Sequence, residues 1–214
     1  MIKSDEIREL KKKIFLTAYR AGAAHLASAF SVVDILYVLY CRSILCYDTK
    51  DPWNEQRDRM IMSKGHASLA LYVILNKVGF ICDKELKSFC QPGSHLGGEP
   101  KMRAMPGVEA STGSLGHGLS FAVGVAMACK MNGYNNKIYV IIGDGECQEG
   151  TIWEAAMAAV RFRLDNLVVI LDDNRLQAMD TVEEIMGISS WREKWEAFGF
   201  EVDEINGHEL NEIE

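Results

Sequence analysis

The stretch KIYVIIGDGECQEGTIWEAAM, residues 137–157, decides the fold that we predict for this chain. It begins with an unbroken apolar run, which is typical of a strand buried on both faces of a parallel sheet. It continues with helical spacing, and Gly143, Asp144 and Gly145 form the turn between the two halves. In open parallel sheets, ligands bind beyond the carboxyl ends of the strands, so this turn is a predicted binding site.

The remaining periodicity predicts an α/β fold, a parallel sheet with helices on both faces. Strand-like runs alternate with helix-like runs, and residues 90–116, with six glycines and three prolines, are predicted to form one long functional loop. The predicted strands are 59–63, 137–143, 166–173 and 200–205, and the predicted helices are 4–21, 31–45, 66–79, 116–132, 149–163 and 189–198.

Length and charge limit the classes of protein that this chain fits. Its 214 residues are 48% apolar, enough for one domain over 1–214. The net charge is −7, and no basic patch indicates nucleic-acid binding. The apolar runs are too short to span a membrane, and the six cysteines contain no C-x-x-C pair, which indicates reduced thiols. We therefore expect a cytoplasmic protein.

The acid in the turn, Asp144, indicates a metal ion. A helix start after such a turn favours a phosphate, but a carboxylate would repel that phosphate unless a cation lay between them. Asn174 follows the next predicted strand, so its amide oxygen is expected near Asp144. Side-chain oxygens together with phosphate oxygens are typical ligands of Mg²⁺.

The blocks GDGECQEGTIWEAAM and LDNLVVILDDNRLQ resemble the thiamine diphosphate motif of transketolases, in particular the N-terminal subunit of the split, two-chain form. DRMIMSKGHASLALYVIL (58–75) and PGVEASTGSLGHGLSFAVG (106–124) resemble further blocks of that family, and the resemblance runs from about residue 12 to residue 207. It implies a thiamine diphosphate-binding fold and transfer of a two-carbon ketol or related acyl unit. The implied cofactors are thiamine diphosphate and Mg²⁺, or another divalent cation such as Ca²⁺ or Mn²⁺.

The resemblance also implies a set of ligands. Asp144 and Asn174 would bind the metal through their side chains, and Leu176 through its carbonyl. Glu146 would offer its backbone N–H to the diphosphate, while its side chain is interpreted as a favourable acid at a helix start. The implied cofactor-binding residues are Gly113, Leu115, Gly143, Gly145, Glu146 and His66.

Four residues match positions near the reacting groups of the family. His25 matches a histidine that faces the substrate, although neighbouring glycines of the family are here Ala24, Ala27 and Ser28. Glu149 matches an acid at the interface between subunits, and His117 has a helix cap as its alternative role. The implied catalytic set is His25, His66, His117 and Glu149.

The resemblance further implies a partner chain. The glutamate that activates the cofactor in this family belongs to a pyrimidine-binding domain, for which this chain has no matching segment. We therefore expect a C-terminal transketolase-like subunit, two copies of each chain in the complex, small-molecule substrates, and no nucleic-acid or membrane partner.

Two departures from the family leave the substrate open. Glu99 stands where the family carries a histidine that contacts the donor sugar, and an ionised carboxylate cannot donate a hydrogen bond; His95 is an alternative contact. The chain stops at INGHELNEIE, with His208 in a predicted turn, so the domain is expected to lack the family's C-terminal helix and strand unless the partner supplies them.

Two alternatives stand beside the transketolase hypothesis. The first is a specialised carboligase or decarboxylase of secondary metabolism, which Glu99 and the altered loop at His25 favour. The second is a non-catalytic, cofactor-binding partner subunit.

Overall fold

A computed structural model describes residues 2–23 and 25–214. The strands are β1 (Arg59–Met62), β2 (Ile138–Gly143) and β3 (Leu167–Asp172). The helices are α1 (Ile2–Ala21), α2 (Leu26–Cys41), α3 (Ser68–Val78), α4 (Asp83–Lys87), α5 (His117–Met131), α6 (Gly150–Arg161), α7 (Val182–Met186), α8 (Trp191–Ala197) and α9 (Leu210–Ile213). Short 3₁₀ segments, Gly65–Ala67 and Gly145–Gln148, precede α3 and α6.

The three strands form a parallel sheet in the order β1-β2-β3. Met62 is in register with Ile141, and Gly143 is in register with Asp172. The carboxyl ends of all three strands therefore meet at one edge of the sheet, as the sequence predicts.

Helices cover both faces of this sheet. Side chains alternate across a strand, so Met60 and Met62 join the core formed by α1, α2 and α3, whereas Ile61 joins the core formed by α5 and α6. In β2, Ile141 faces the first core and Val140 the second. The α/β architecture with three layers is thus the predicted one.

Two strand predictions differ from the structure. Residues 200–205 are not a strand; Phe200 instead packs edge-on against Trp195, with ring centroids 5.0 Å apart. β3 is an edge strand of the described sheet, and Val168 is 36% exposed, so the run 167–171 is not buried on both faces. An apolar run does not by itself distinguish a central strand from an edge strand.

One helix prediction was displaced, and three short helices were missed. The helix predicted over 31–45 is α2, which begins at Leu26 and ends at Cys41. Because ten of its residues are buried, its periodicity does not mark its ends. The missed helices α4, α7 and α9 have at most five residues each, too few to show a period. The loop 90–116 contains no helix or strand, as predicted.

All six cysteines are free thiols. Within residues 2–23 and 25–214, no helix has both the length and the apolar character that crossing a membrane requires.

Candidate active site

Asp144 lies directly after β2 and is held by the two adjoining turns. Its side chain is buried, Oδ1 accepts a hydrogen bond from the Gly145 N–H (2.7 Å), and Oδ2 accepts one from the Arg175 N–H (2.6 Å). Burial raises the pKa of the Asp144 carboxyl, although these two hydrogen bonds oppose the shift. Each carboxylate oxygen keeps a further lone pair, so Asp144 retains acceptor capacity for a cation.

Asn174 lies beside Asp144 because β2 and β3 end in register. Its Nδ2 donates to Oδ2 of Asp172 (3.3 Å), and its Oδ1 accepts from the Leu176 N–H (2.9 Å). Leu176 is 62% exposed and pairs with Thr181 across a tight loop. The predicted ligands Asp144, Asn174 and Leu176 therefore lie around one point, the backbone of Arg175.

Gly145 and Gln177 form a cradle next to these residues. A β-carbon at Gly145 would lie 2.8 Å from Cδ of Gln177, so a side chain at position 145 would collide with the Gln177 amide. The buried Nε2 of Gln177 has no hydrogen-bond partner among the described residues. A buried donor of this kind is costly unless a ligand or water accepts from it, which fits an anion at this position.

The Glu146 side chain does more than the sequence predicts. It is buried and accepts hydrogen bonds from the Gly116 N–H (2.9 Å), the Gly143 N–H (3.1 Å) and the hydroxyl of Ser63. Burial raises the pKa of this carboxyl, and the three hydrogen bonds lower it. The interpretation as a solvated acid at a helix start is therefore wrong for the side chain, which links the ends of β1 and β2 to the loop before α5.

His66 and His25 lie side by side at this edge of the sheet. Their ring centroids are 5.5 Å apart; His66 is partly buried, whereas His25 is exposed and has a φ of 65° before α2. Burial, followed by the nearby ammonium of Lys64, lowers the pKa of His66 to about 4. His66 is therefore a neutral imidazole near pH 7. Ala24, which replaces a family glycine, lies outside the described residues.

Gly113 joins the segment before α5 to the 3₁₀ turn that holds His66. A β-carbon at Gly65 would lie 2.6 Å from the Gly113 nitrogen, so the two backbones are in direct contact. Gly113 has a φ of +138°, which disfavours a side chain there as well. Leu115 is partly buried, and its carbonyl lies 3.2 Å from Nδ1 of His117, the exposed first residue of α5.

Two acids flank this segment. Glu149 is exposed before α6, and a β-carbon at Gly116 would lie 2.8 Å from its Cβ. Glu99 is also exposed, and its carboxylate lies against Gly113, since a β-carbon there would be 2.1 Å from Oε2. Glu99 therefore borders the predicted cofactor segment. His95 is exposed in the same loop.

Four side chains at this edge were not predicted from the sequence. Lys64 is 2% exposed and forms an ion pair with Asp172 (2.5 Å), which also accepts from the Ser31 hydroxyl (2.6 Å). Gln177 is the fourth. A lysine after an apolar strand is a signal that sequence inspection could have used, because an isolated ammonium is rarely buried without a carboxylate.

His208 lies away from this site. Its Nδ1 is 2.9 Å from Oδ2 of Asp34, a buried acid of α2 that also pairs with Lys11. The residue lies in a turn, as predicted, and it fastens the C-terminal segment to α2.

The donor set at the turn suits a hard cation shared with an anionic ligand. No group of three His, Cys, Asp or Glu side chains among the described residues could hold a metal by itself. Asp144 and the Asn174 amide nevertheless provide the oxygen type that Mg²⁺ prefers, and Gln177 and the glycine cradle accommodate the anion. Magnesium diphosphate chemistry therefore fits the residues present.

Comparison with known proteins gives one family. The family described as "Transketolase, thiamine diphosphate binding domain" matches residues 5–214. One of the two named chains of apulose-4-phosphate transketolase from Phocaeicola vulgatus is 45% identical over 203 residues, which are 95% of this chain and 72% of that protein. The 6-deoxy-6-sulfo-D-fructose transketolase subunit SqwG of a Clostridium species is 41% identical, over 91% of this chain and 70% of that protein.

The solved transketolase of Campylobacter jejuni has the same fold. It superposes with a TM-score of 0.90 and 34% identity over 97% of this chain, which corresponds to 33% of that chain. The present chain thus spans about a third of that solved protein and most of each similar subunit.

Proposed function

Because this chain belongs to the transketolase family, we propose that it is the diphosphate-binding subunit of a two-chain, thiamine diphosphate-dependent transketolase. Residues 1–214 would form one diphosphate-binding domain. The observation that carries the proposal is the juxtaposition of Asp144 and Asn174 at adjacent strand ends, beside the unpartnered amide of Gln177.

The metal and the diphosphate would be held by neighbouring groups. The Asp144 carboxylate, the Asn174 amide oxygen and the Leu176 carbonyl would bind Mg²⁺, and the diphosphate oxygens would complete its coordination. Gly143, Gly145 and the backbone of Glu146 would face the diphosphate, and Gln177 would donate to it. Gly113 and Leu115 would contact the other end of the cofactor.

Thiamine diphosphate, when bound, supplies the carbanion stabilisation that ketol transfer requires, and the protein supplies position and electrostatics. His66 is neutral near pH 7 and can therefore donate through one ring nitrogen and accept through the other. His25 and His117 are exposed on the same side and would contact the reacting sugar. Glu149 would link this centre to the partner subunit.

The partner subunit is the second half of the proposal. The most similar curated relatives are named as single subunits of transketolases, and this chain spans about a third of a solved transketolase. We infer a C-terminal subunit with a pyrimidine-binding domain, in a complex that contains two copies of each chain. The free thiols are consistent with a cytoplasmic enzyme.

A specialised donor is favoured over the common ketose phosphates by one contact. Glu99 places a carboxylate against Gly113, where it accepts but does not donate hydrogen bonds. Two of the relatives are named for apulose 4-phosphate and for 6-deoxy-6-sulfo-D-fructose, so the substrate that we propose is a ketose outside the common set.

Reconstitution tests the proposal. The chain, the partner subunit, thiamine diphosphate and Mg²⁺ are mixed, and two-carbon transfer from a panel of ketose and 2-oxoacid donors to aldehydes is measured. We expect turnover that neither chain gives alone and that Asp144→Ala abolishes. Full activity of this chain by itself would contradict the split site, and cofactor binding without turnover of any donor would indicate a non-catalytic subunit instead.

A further inference from the structure

Asp172, the last residue of β3, collects three hydrogen-bond donors at the edge of the proposed metal site. Its carboxylate accepts from the Lys64 ammonium (2.5 Å), the Ser31 hydroxyl (2.6 Å) and Nδ2 of Asn174 (3.3 Å). Its side chain is 9% exposed and that of Lys64 is 2% exposed. A fully satisfied, buried group of this kind holds its members in one geometry.

The contact with Asn174 decides which way its amide faces. A carboxylate only accepts hydrogen bonds, so it selects the NH₂ side of the amide and turns the oxygen away from itself. On the other side, Oδ1 of Asn174 accepts from the Leu176 N–H (2.9 Å) and keeps one lone pair. Asp172 thus leaves the amide oxygen toward the turn that holds Asp144.

Lys64 prevents Asp172 from disturbing the site that it organises. An unpaired carboxylate here would repel Asp144 and compete for a cation, and burying it would cost free energy. Pairing with the ammonium makes Asp172 part of a neutral pair and fixes its rotamer from the end of β1.

We propose that Asp172, held by Lys64, is a positioning residue that orients the amide oxygen of Asn174 toward the metal. This inference rests on the proposed function and concerns residues that do not themselves contact the metal. Partners of metal ligands that fix ligand orientation typically change metal affinity 10- to 100-fold when removed.

Two double variants with the same charge isolate the effect. Lys64→Met/Asp172→Leu replaces the buried pair by apolar residues, a change that proteins often tolerate in stability. Lys64→Met/Asp172→Asn removes the same charges but retains an oxygen that accepts from Asn174. Asp173→Leu, at a neighbouring acid whose side chain is 40% exposed, controls for loss of negative charge nearby.

The full chain is assembled with its partner, and the Mg²⁺ concentration for half-maximal binding of thiamine diphosphate is measured by calorimetry, together with the melting temperature. We expect the Leu double variant to need ~10-fold more Mg²⁺ or more than the Asn double variant, and Asp173→Leu to stay within about threefold of wild type.

Equal Mg²⁺ requirements for the two double variants would overturn the inference. If both variants melt at the same temperature while their Mg²⁺ requirements differ, the role is positioning and not general stability. Loss of binding in Asp144→Ala with no difference between the double variants would overturn this inference alone. Absence of Mg²⁺-dependent binding in the wild-type complex would overturn the proposed function with it.

Discussion

The carboxylate of Glu146 accepts a hydrogen bond from the backbone N–H of Gly116, 2.9 Å away, and so joins the turn after β2 to the segment before α5. The same carboxylate accepts from Gly143 and Ser63. One buried acid therefore holds together the two segments that are proposed to bind opposite ends of the cofactor.

Glu146→Ala is expected to destabilise the chain by about 2–4 kcal/mol, because the Gly116 and Gly143 N–H groups lose their acceptor. Denaturant unfolding measures this loss. The control is Glu149→Ala, at an exposed neighbouring acid, for which less than about 0.5 kcal/mol is expected. Equal effects of the two substitutions would contradict a structural role for Glu146.

His66 predicts a pH dependence of stability. Its folded pKa of about 4 lies below the ordinary value of 6.5, so between these pH values the unfolded chain binds a proton that the folded chain does not. The contribution is present above pH 6.5 and is lost as the pH falls toward 4. We expect His66→Asn to lose on the order of 1–2 kcal/mol less than wild type between pH 7 and pH 4.5. Parallel stability curves would refute the assignment.

Gly65→Ala tests the contact between the two cofactor-facing segments. The added methyl group would lie 2.6 Å from the Gly113 backbone, so we expect a loss of about 1–3 kcal/mol and weaker thiamine diphosphate binding. Gly124→Ala is the matched control, because nothing lies within 4 Å of its added carbon in α5 and alanine favours a helix. Gly124→Ala should therefore leave stability unchanged or raise it.

Glu99→His is expected to change donor preference. Removing a negative charge beside Gly113 should raise relative use of anionic donors over neutral ketoses by about tenfold, the effect of a unit charge at moderate distance. The ratio of kcat/KM for hydroxypyruvate to that for erythrulose measures it in the assembled complex. Glu201→His, at an exposed acid elsewhere, is the control. An unchanged ratio would show that position 99 does not select the donor.

The sequence predicted the part of the site that depends on strand order and turn chemistry. Asp144 and Asn174 were placed together because parallel strands end at one edge, and the register of Gly143 with Asp172 confirms that reasoning. The same logic failed for residues 200–205, because an alternating pattern does not reveal whether a neighbouring strand is available.

The supporting contacts could not be predicted from sequence. The pairing of Lys64 with Asp172, and the three donors of Glu146, join segments that are far apart in the chain. Such contacts follow from side-chain rotamers in the folded state, and local periodicity contains no information about them. The orphaned Gln177 amide is a further case, because its burial depends on the loop that follows Asn174.

The most direct test of the central claim is Mg²⁺-dependent binding of thiamine diphosphate to the assembled complex, measured for wild type, Asp144→Ala and Asp173→Ala. Both substitutions remove one carboxylate, but only Asp144 lies at the proposed metal position. We predict that Asp144→Ala loses Mg²⁺-dependent binding by ~100-fold or more, while Asp173→Ala stays within about threefold of wild type. Equal binding by Asp144→Ala and wild type would contradict the account.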